Sequence, residues 1–169
     1  MNDQEAVNDL LSRTKAIVET IVDGVITISD RGLIETVNPA AEKIFGYRLD
    51  ELSGNNVSML MPNPYQREHD SYLSNYLRTG EKKIIGTGRE VTGRRKDGST
   101  FPLELAISEM EVNGQRMFTG IVRDISQRKA TEEKLREFLA RTKAILDTIV
   151  DGVITISDRG CIETVNPAA

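Results

Sequence analysis

The 169-residue sequence predicts an α+β domain: a five-stranded antiparallel sheet with helices on one face, flanked by amphipathic N- and C-terminal helices. Three observations predict it. Two β-branched runs, Val25-Ile26-Thr27-Ile28-Ser29 and Leu33-Ile34-Glu35-Thr36-Val37, enclose the turn residues Asp30-Arg31-Gly32, the pattern of a hairpin. Three longer strand-rich stretches, 83–94, 100–111 and 116–125, are separated by Lys96-Asp97-Gly98 and by Asn113-Gly114. Asp-Gly and Asn-Gly favour hairpin turns because both residues tolerate positive φ. Outside these strands, apolar residues recur at spacings of three and four, the period of a helix.

Taken in order, Val7, Leu10, Leu11, Thr14, Ile17, Val18 and Ile21 form the stripe of an amphipathic helix with a dimer-type seam. It is expected to run into Val22 and stop by Gly24. After the first hairpin, Asn38 caps a helix that starts at Pro39, continues through Ala40, Ala41, Ile44 and Phe45, and closes at Gly46. The prolines of Leu60-Met61-Pro62-Asn63-Pro64 block helix continuation, and residues 65–78 read as a longer helix ending at Thr79-Gly80. From Ser126 the helical period returns, with Leu135, Phe138, Leu139, Thr142, Ile145, Leu146 and Ile149 on one stripe. That stripe either packs on its own domain or forms a dimeric coiled coil; two or three heptads leave both open.

Displacing the sequence by 128 positions lays Arg13 on Arg141 and Ala41 on Ala169. Between those limits the two copies differ only at Val18/Leu146, Glu19/Asp147 and Leu33/Cys161, so the module is duplicated. The expected organisation is an N-terminal amphipathic or coiled-coil helix over 1–22, a compact domain over 23–126, a linker helix over 127–150 and the start of a second, truncated domain over 151–169. Because the second copy stops inside an element, the chain is expected to be a fragment of a longer tandem array.

Bulk properties exclude several functions. A formal net charge of -4 offers no broad basic surface, and the run Arg94-Arg95-Lys96 meets Asp97-Gly98 at once, so direct nucleic-acid binding is not expected. The single cysteine, Cys161, rules out an internal disulfide framework and fits a reducing compartment, so the expected location is cytoplasmic. No apolar run approaches the ~20 residues of a membrane span, and the first residues lack a signal peptide's basic start and apolar core. One histidine and one cysteine cannot assemble a Cys-His dyad or a multi-histidine metal site, so this segment is not expected to be an enzyme. Gly86-Thr87-Gly88 is followed by strand residues and not by a helix, which removes it as a phosphate loop.

The chemistry then concentrates on two residues. His69, the only histidine, sits on a polar helix in Arg67-Glu68-His69-Asp70-Ser71-Tyr72; taken alone it is a solvated side chain or a ligand. Arg89, in a strand, is either a structural partner for Glu90, Glu104 or Glu109 or a pocket residue approached closely through Gly86 and Gly88.

The order strand, strand, short helices, longer helix, three antiparallel strands and amphipathic exit helix resembles PAS sensor domains. So do the residues themselves: Val25-Ile26-Thr27-Ile28-Ser29, Asn38-Pro39-Ala40-Ala41 with Phe45-Gly46-Tyr47, Arg95-Lys96-Asp97-Gly98-Ser99 with Phe101-Pro102, and Gly120-Ile121-Val122-Arg123-Asp124-Ile125-Ser126. The likeness covers about residues 16–128 and returns in the second copy. Within the PAS domains, residues 67–72 and Ile84-Ile85-Gly86-Thr87-Gly88-Arg89-Glu90-Val91 are similar to the FixL-type haem PAS domains of rhizobial oxygen-sensor kinases.

This resemblance implies that His69 ligates the iron of haem b from the proximal side and that Arg89 lies on the distal side. There a guanidinium can stabilise the partial negative charge of bound oxygen by a charge-assisted hydrogen bond, and carbon monoxide gains less. Ile84, Leu105 and Ile107 match the apolar distal positions, and Tyr72, one turn after His69, lines the proximal wall. Where the family places basic groups near the haem propionates, this chain has Lys83, able to pair with one, and Asn75, which has no charge. The resemblance further implies sensing of O2 or another diatomic gas and a homodimer through the flanking helices. It also implies an output domain outside this segment: first a histidine kinase of a two-component system, next a diguanylate cyclase or phosphodiesterase. The alternative is a cofactor-free PAS module for dimerisation or signal relay.

Overall fold

The N-terminal helix α1 (Asp3–Thr20) ends where a buried side chain takes over its carbonyls. Asn38 donates from Nδ2 to the backbone oxygens of Val18 (3.2 Å) and Asp23 (3.0 Å), and its Oδ1 accepts from the N–H of Val25 (2.8 Å) and of Ala41 (2.9 Å). One amide thus joins the end of α1, the start of the first strand and the start of the next helix, with no hydrogen-bonding group left over. It also stops α1 at Thr20, two residues short of the expected Val22, because the chain must turn to bring Val25 to this amide. The computed structural model describes residues 3–80, 88–148 and 152–165, and these fall into two compact units divided after Ser126.

In the first unit, β1 (Gly24–Ser29) and β2 (Ile34–Val37) form the expected hairpin, with Ile26 opposite Val37 and Thr27 opposite Thr36. Helix α2 (Pro39–Phe45) follows, capped by Asn38 and closed by Gly46 at φ 76°. The short helix α3 (Leu49–Leu52) and a 3-10 turn (Val57–Leu60) lead to α4 (Tyr65–Thr79), closed by Gly80 at φ 69°. Strands β3 (Arg89–Arg94), β4 (Thr100–Val112) and β5 (Gln115–Asp124) complete an antiparallel sheet in the order β2-β1-β5-β4-β3. The Asn113-Gly114 turn has both residues at positive φ, 52° and 76°, as that dipeptide predicts.

The sheet has one apolar face. Ile26, Phe101, Leu103 and Val122 point from it into a core completed by Ala41, Phe45, Leu52, Val57 and Leu60 of the helical segments. Because opposed residues of an antiparallel pair share a face, the register extends this face. Arg89 pairs with Leu105 and Leu105 with Val122, Ile107 pairs with Gly120, and Glu109 pairs with Phe118.

Arg95 fastens the far end of the sheet. Its guanidinium lies 3.8 Å from the centre of the Phe101 ring, donates to Asp124 Oδ2 at 2.6 Å and bonds the Ile44 carbonyl. Asp124 also accepts the N–H of Ser126 at 2.8 Å.

The second unit holds most of α5 (Ser126–Thr148) and a hairpin of β6 (Ile154–Ile156) and β7 (Ile162–Val165). That hairpin repeats the register of the first, Ile154 opposite Val165 and Thr155 opposite Thr164. The stripes of α1 and α5 are exposed, including Leu10, Ile17, Leu135 and Phe138. In each, the threonine of the stripe returns its hydroxyl to its own helix, Thr14 to the Leu10 oxygen and Thr142 to the Phe138 oxygen, both at 2.9 Å. Only the methyl then remains for a partner.

Candidate ligand-binding site

Helix α4 turns the side chains of His69, Leu73 and Tyr76, spaced by four and three, toward the rest of the domain. The Tyr76 ring meets Phe118 edge-on at 5.8 Å, and its hydroxyl bonds Glu109, which also takes Arg116 at 2.9 Å. His69 and Leu73 lie against the β1–β2 turn at Gly32. A Cβ on that residue would sit 3.7 Å from His69 Cε1 and 3.4 Å from Leu73 Cδ2, and its φ of 76° already suits glycine.

The His69 side chain is only 17% exposed, which overturns the picture of a freely solvated histidine. Its polar neighbours Arg67, Glu68 and Asp70 are exposed, while the turn covers the ring. Burial holds the imidazole pKa below its ordinary value, and the Asp70 carboxylate beside it opposes that shift without overcoming it. Neutral imidazole is the form that ligates a metal. Nδ1 is buried without a hydrogen-bond partner, and at 3.6 Å Asp70 Oδ1 is too distant to be one.

Arg89, Leu105 and Ile107 share the apolar face of the sheet, as their register requires. Of the carboxylates the sequence offers Arg89, Glu109 is occupied by Tyr76 and Arg116, and no ion pair holds Arg89 among the described residues. Tyr72 lies within reach of the Arg89 charge, which partly offsets the rise in its phenol pKa caused mainly by a hydrogen bond to Glu68. That phenol is half-exposed. Asn75 accepts from Arg78 at 2.8 Å, and with Tyr72 it lines an open groove along α4. Lys83 and Ile84 lie outside the described residues.

Sequence reasoning missed Gly120. It sits on the central strand β5 between Ile107 and Ile26, where an added Cβ would make only ordinary contacts, 3.7 Å to Leu105 Cδ1 and 3.9 Å to the Ile26 oxygen. The sheet therefore has room for a methyl group at that point, and a glycine inside a strand was the available signal.

These residues fit haem in kind. Among the described residues no group of three or more His, Cys, Asp or Glu could hold a metal ion. A lone imidazole therefore suits a macrocycle that brings the other ligands itself. The apolar side chains of Leu105 and Ile107 on the sheet suit the contact surface of a largely apolar ring.

Residues 12–125 match the PAS fold family and residues 140–169 match a second PAS domain family. Sensor protein FixL of Bradyrhizobium diazoefficiens is 46% identical over 123 residues, covering 73% of this chain and 24% of that protein. The cell-division control histidine kinase PdhS of Brucella ovis is 33% identical over 182 residues, 98% of this chain and 17% of that one. Among solved structures, the PAS domain of an HTR-like protein from Haloarcula marismortui aligns with a TM-score of 0.60 at 23% identity, over 73% of this chain and 98% of that one. The chain spans about a quarter or less of the length of these curated relatives. A five-stranded antiparallel sheet covered on one face by short helices is the architecture these relatives share. The chain belongs to the PAS family, with one PAS domain followed by the beginning of another.

Proposed function

We propose that the first PAS domain binds haem b through His69 and senses O2 or another diatomic gas for an output domain outside this segment, a histidine kinase of a two-component system. The observation that carries this is the 46% identity to Sensor protein FixL, joined to the FixL-type residues around His69 and Arg89. Haem, when bound, would supply an iron able to bind a diatomic gas. His69, kept neutral by burial, offers Nε2. Arg89 would offer its guanidinium to a polarised gas molecule, and a less polar one would gain less. Leu105 and Ile107, and on the resemblance Ile84, would form the apolar wall, with Tyr72 on the opposite side. On the resemblance, Lys83 would pair with a haem propionate, and Asn75 would contribute no charge.

Ligand state must favour one of two domain arrangements to be a signal. A route exists from Leu105 through its partner Val122 along β5 to Asp124, which accepts the N–H of the first residue of α5. The exposed stripes of α1 and α5 support a homodimer through the flanking helices, and Ile17→Asp should turn a dimer into a monomer in sedimentation equilibrium. A wild-type chain already monomeric at tens of micromolar would contradict that. No described helix is long and apolar enough to cross a membrane, and we place the segment in the cytoplasm.

A second reading, a cofactor-free PAS module for dimerisation or relay, is favoured by one observation: the His69 ring is seated against Gly32 instead of standing free. The absorption spectrum of the haem-supplemented chain separates the two. A Soret band that is lost or shifted in His69→Ala is expected; no band, or an unchanged band in the variant, would sink the haem assignment.

A further inference from the structure

Asn56 precedes the 3-10 turn with both ends of its amide committed. Its Oδ1 accepts the N–H of Ser58 at 2.9 Å, so Nδ2 must face the other way, and there it donates to Asp70 Oδ1 at 2.9 Å. The backbone around it is pinned as well: Leu33 bridges Asn56, and the N–H of Val57 bonds the Gly32 oxygen at 2.9 Å. Asp70 is 68% exposed, so without that clamp its carboxylate would turn to water.

The oxygen that Asn56 holds is the one facing His69 Nδ1, at 3.6 Å. Neighbouring side chains on a helix ordinarily diverge, so this meeting of residues 69 and 70 needs an outside constraint, and Asn56 provides it. A carboxylate oxygen has two lone pairs, and Asn56 uses one. Nδ1 is buried and has no partner. Leaving such a group unsatisfied costs about 1–3 kcal/mol, and a small rotation brings it within bonding distance of the free lone pair. The Gly32 turn runs beside both groups: a Cβ added there would fall 3.7 Å from His69 Cε1 and 3.4 Å from Asn56 Nδ2.

We infer that Asp70, clamped by Asn56, is the positioning residue for His69: its Oδ1 takes the Nδ1–H, fixing the tautomer and presenting Nε2 to iron. This rests on the haem reading above and extends it to two residues that touch neither haem nor gas. A metal-bound histidine regularly donates its second N–H to such an acceptor, which orients the ring and makes it a stronger ligand.

The test begins on the haem-free chain, so that it stands apart from haem binding. Imidazole 15N shifts near neutral pH are expected to show mainly the Nδ1–H tautomer in the wild type and mainly Nε2–H in Asp70→Ala. Asn56→Ala, which releases the carboxylate without removing it, should also move the balance toward Nε2–H. A wild type dominated by Nε2–H, or a balance unmoved in either variant, overturns the assignment. If haem then loads, resonance Raman should show a lower iron–histidine stretching frequency in Asp70→Ala. An unchanged frequency in a loaded variant refutes the role of Asp70 and leaves the haem reading standing, whereas a chain that binds no haem refutes that reading and leaves the tautomer result intact.

Discussion

Replacing Asn38 by alanine should cost the first domain about 3 kcal/mol. The residue is 3% exposed and makes four hydrogen bonds. Losing the cap to Ala41 accounts for about 1 kcal/mol, and stranding the Val25 N–H for about another. The Val18 and Asp23 oxygens are half-buried and partly regain water, so together they add roughly 1 kcal/mol. Asn38→Ser keeps the cap alone and should recover about 1 kcal/mol of the loss. Urea unfolding followed by tyrosine fluorescence measures this cleanly, because the chain has no tryptophan and its four tyrosines, Tyr47, Tyr65, Tyr72 and Tyr76, all lie in the first domain. A loss below about 1 kcal/mol, or a serine variant no better than alanine, would refute the idea that this amide ties α1 to the sheet.

Arg89→Ala should weaken oxygen binding by the haem-loaded chain far more than carbon monoxide binding; equal losses would mean general damage to the pocket. Gly120→Val should add bulk beside Leu105, where a Cβ already reaches contact distance, and abolish haem loading while far-UV circular dichroism stays that of the wild type. Undiminished loading would remove Gly120 from the site. The bidentate contact from Arg123, at 2.9 and 2.7 Å, holds the Asp23 carboxyl below its ordinary pKa. A depressed folded-state pKa gives stability that is complete above the unfolded value and lost as pH falls through the folded one. The wild type should therefore be more stable than Asp23→Asn near neutrality, with the gap closing below about pH 4; a gap independent of pH would contradict the pairing.

Local chemistry was legible in the sequence, and long-range placement was not. Asn38-Pro39, Gly46, Gly80 and Asn113-Gly114 sit at caps and turns whose geometry depends on residues within a few positions, and each has its predicted role. The order β2-β1-β5-β4-β3 depends on pairing Gly24 with Val122, a contact no local pattern encodes. Five antiparallel strands were legible in the sequence, but no order for them. His69 shows the same division, since its helix was readable but its burial comes from Gly32, far away in the chain. The clamp by Asn56 was invisible for the same reason: a side-chain bond between a 3-10 turn and a helix leaves no periodicity.

The account stands or falls on whether His69 is the iron ligand. Chemical rescue tests this most directly: the absorption spectrum of the reduced, haem-supplemented His69→Gly chain, recorded with and without added imidazole. The account predicts a ligand-deficient spectrum that returns to the wild-type Soret position when imidazole fills the vacated place. A variant that binds haem with the wild-type spectrum in the absence of imidazole would contradict it.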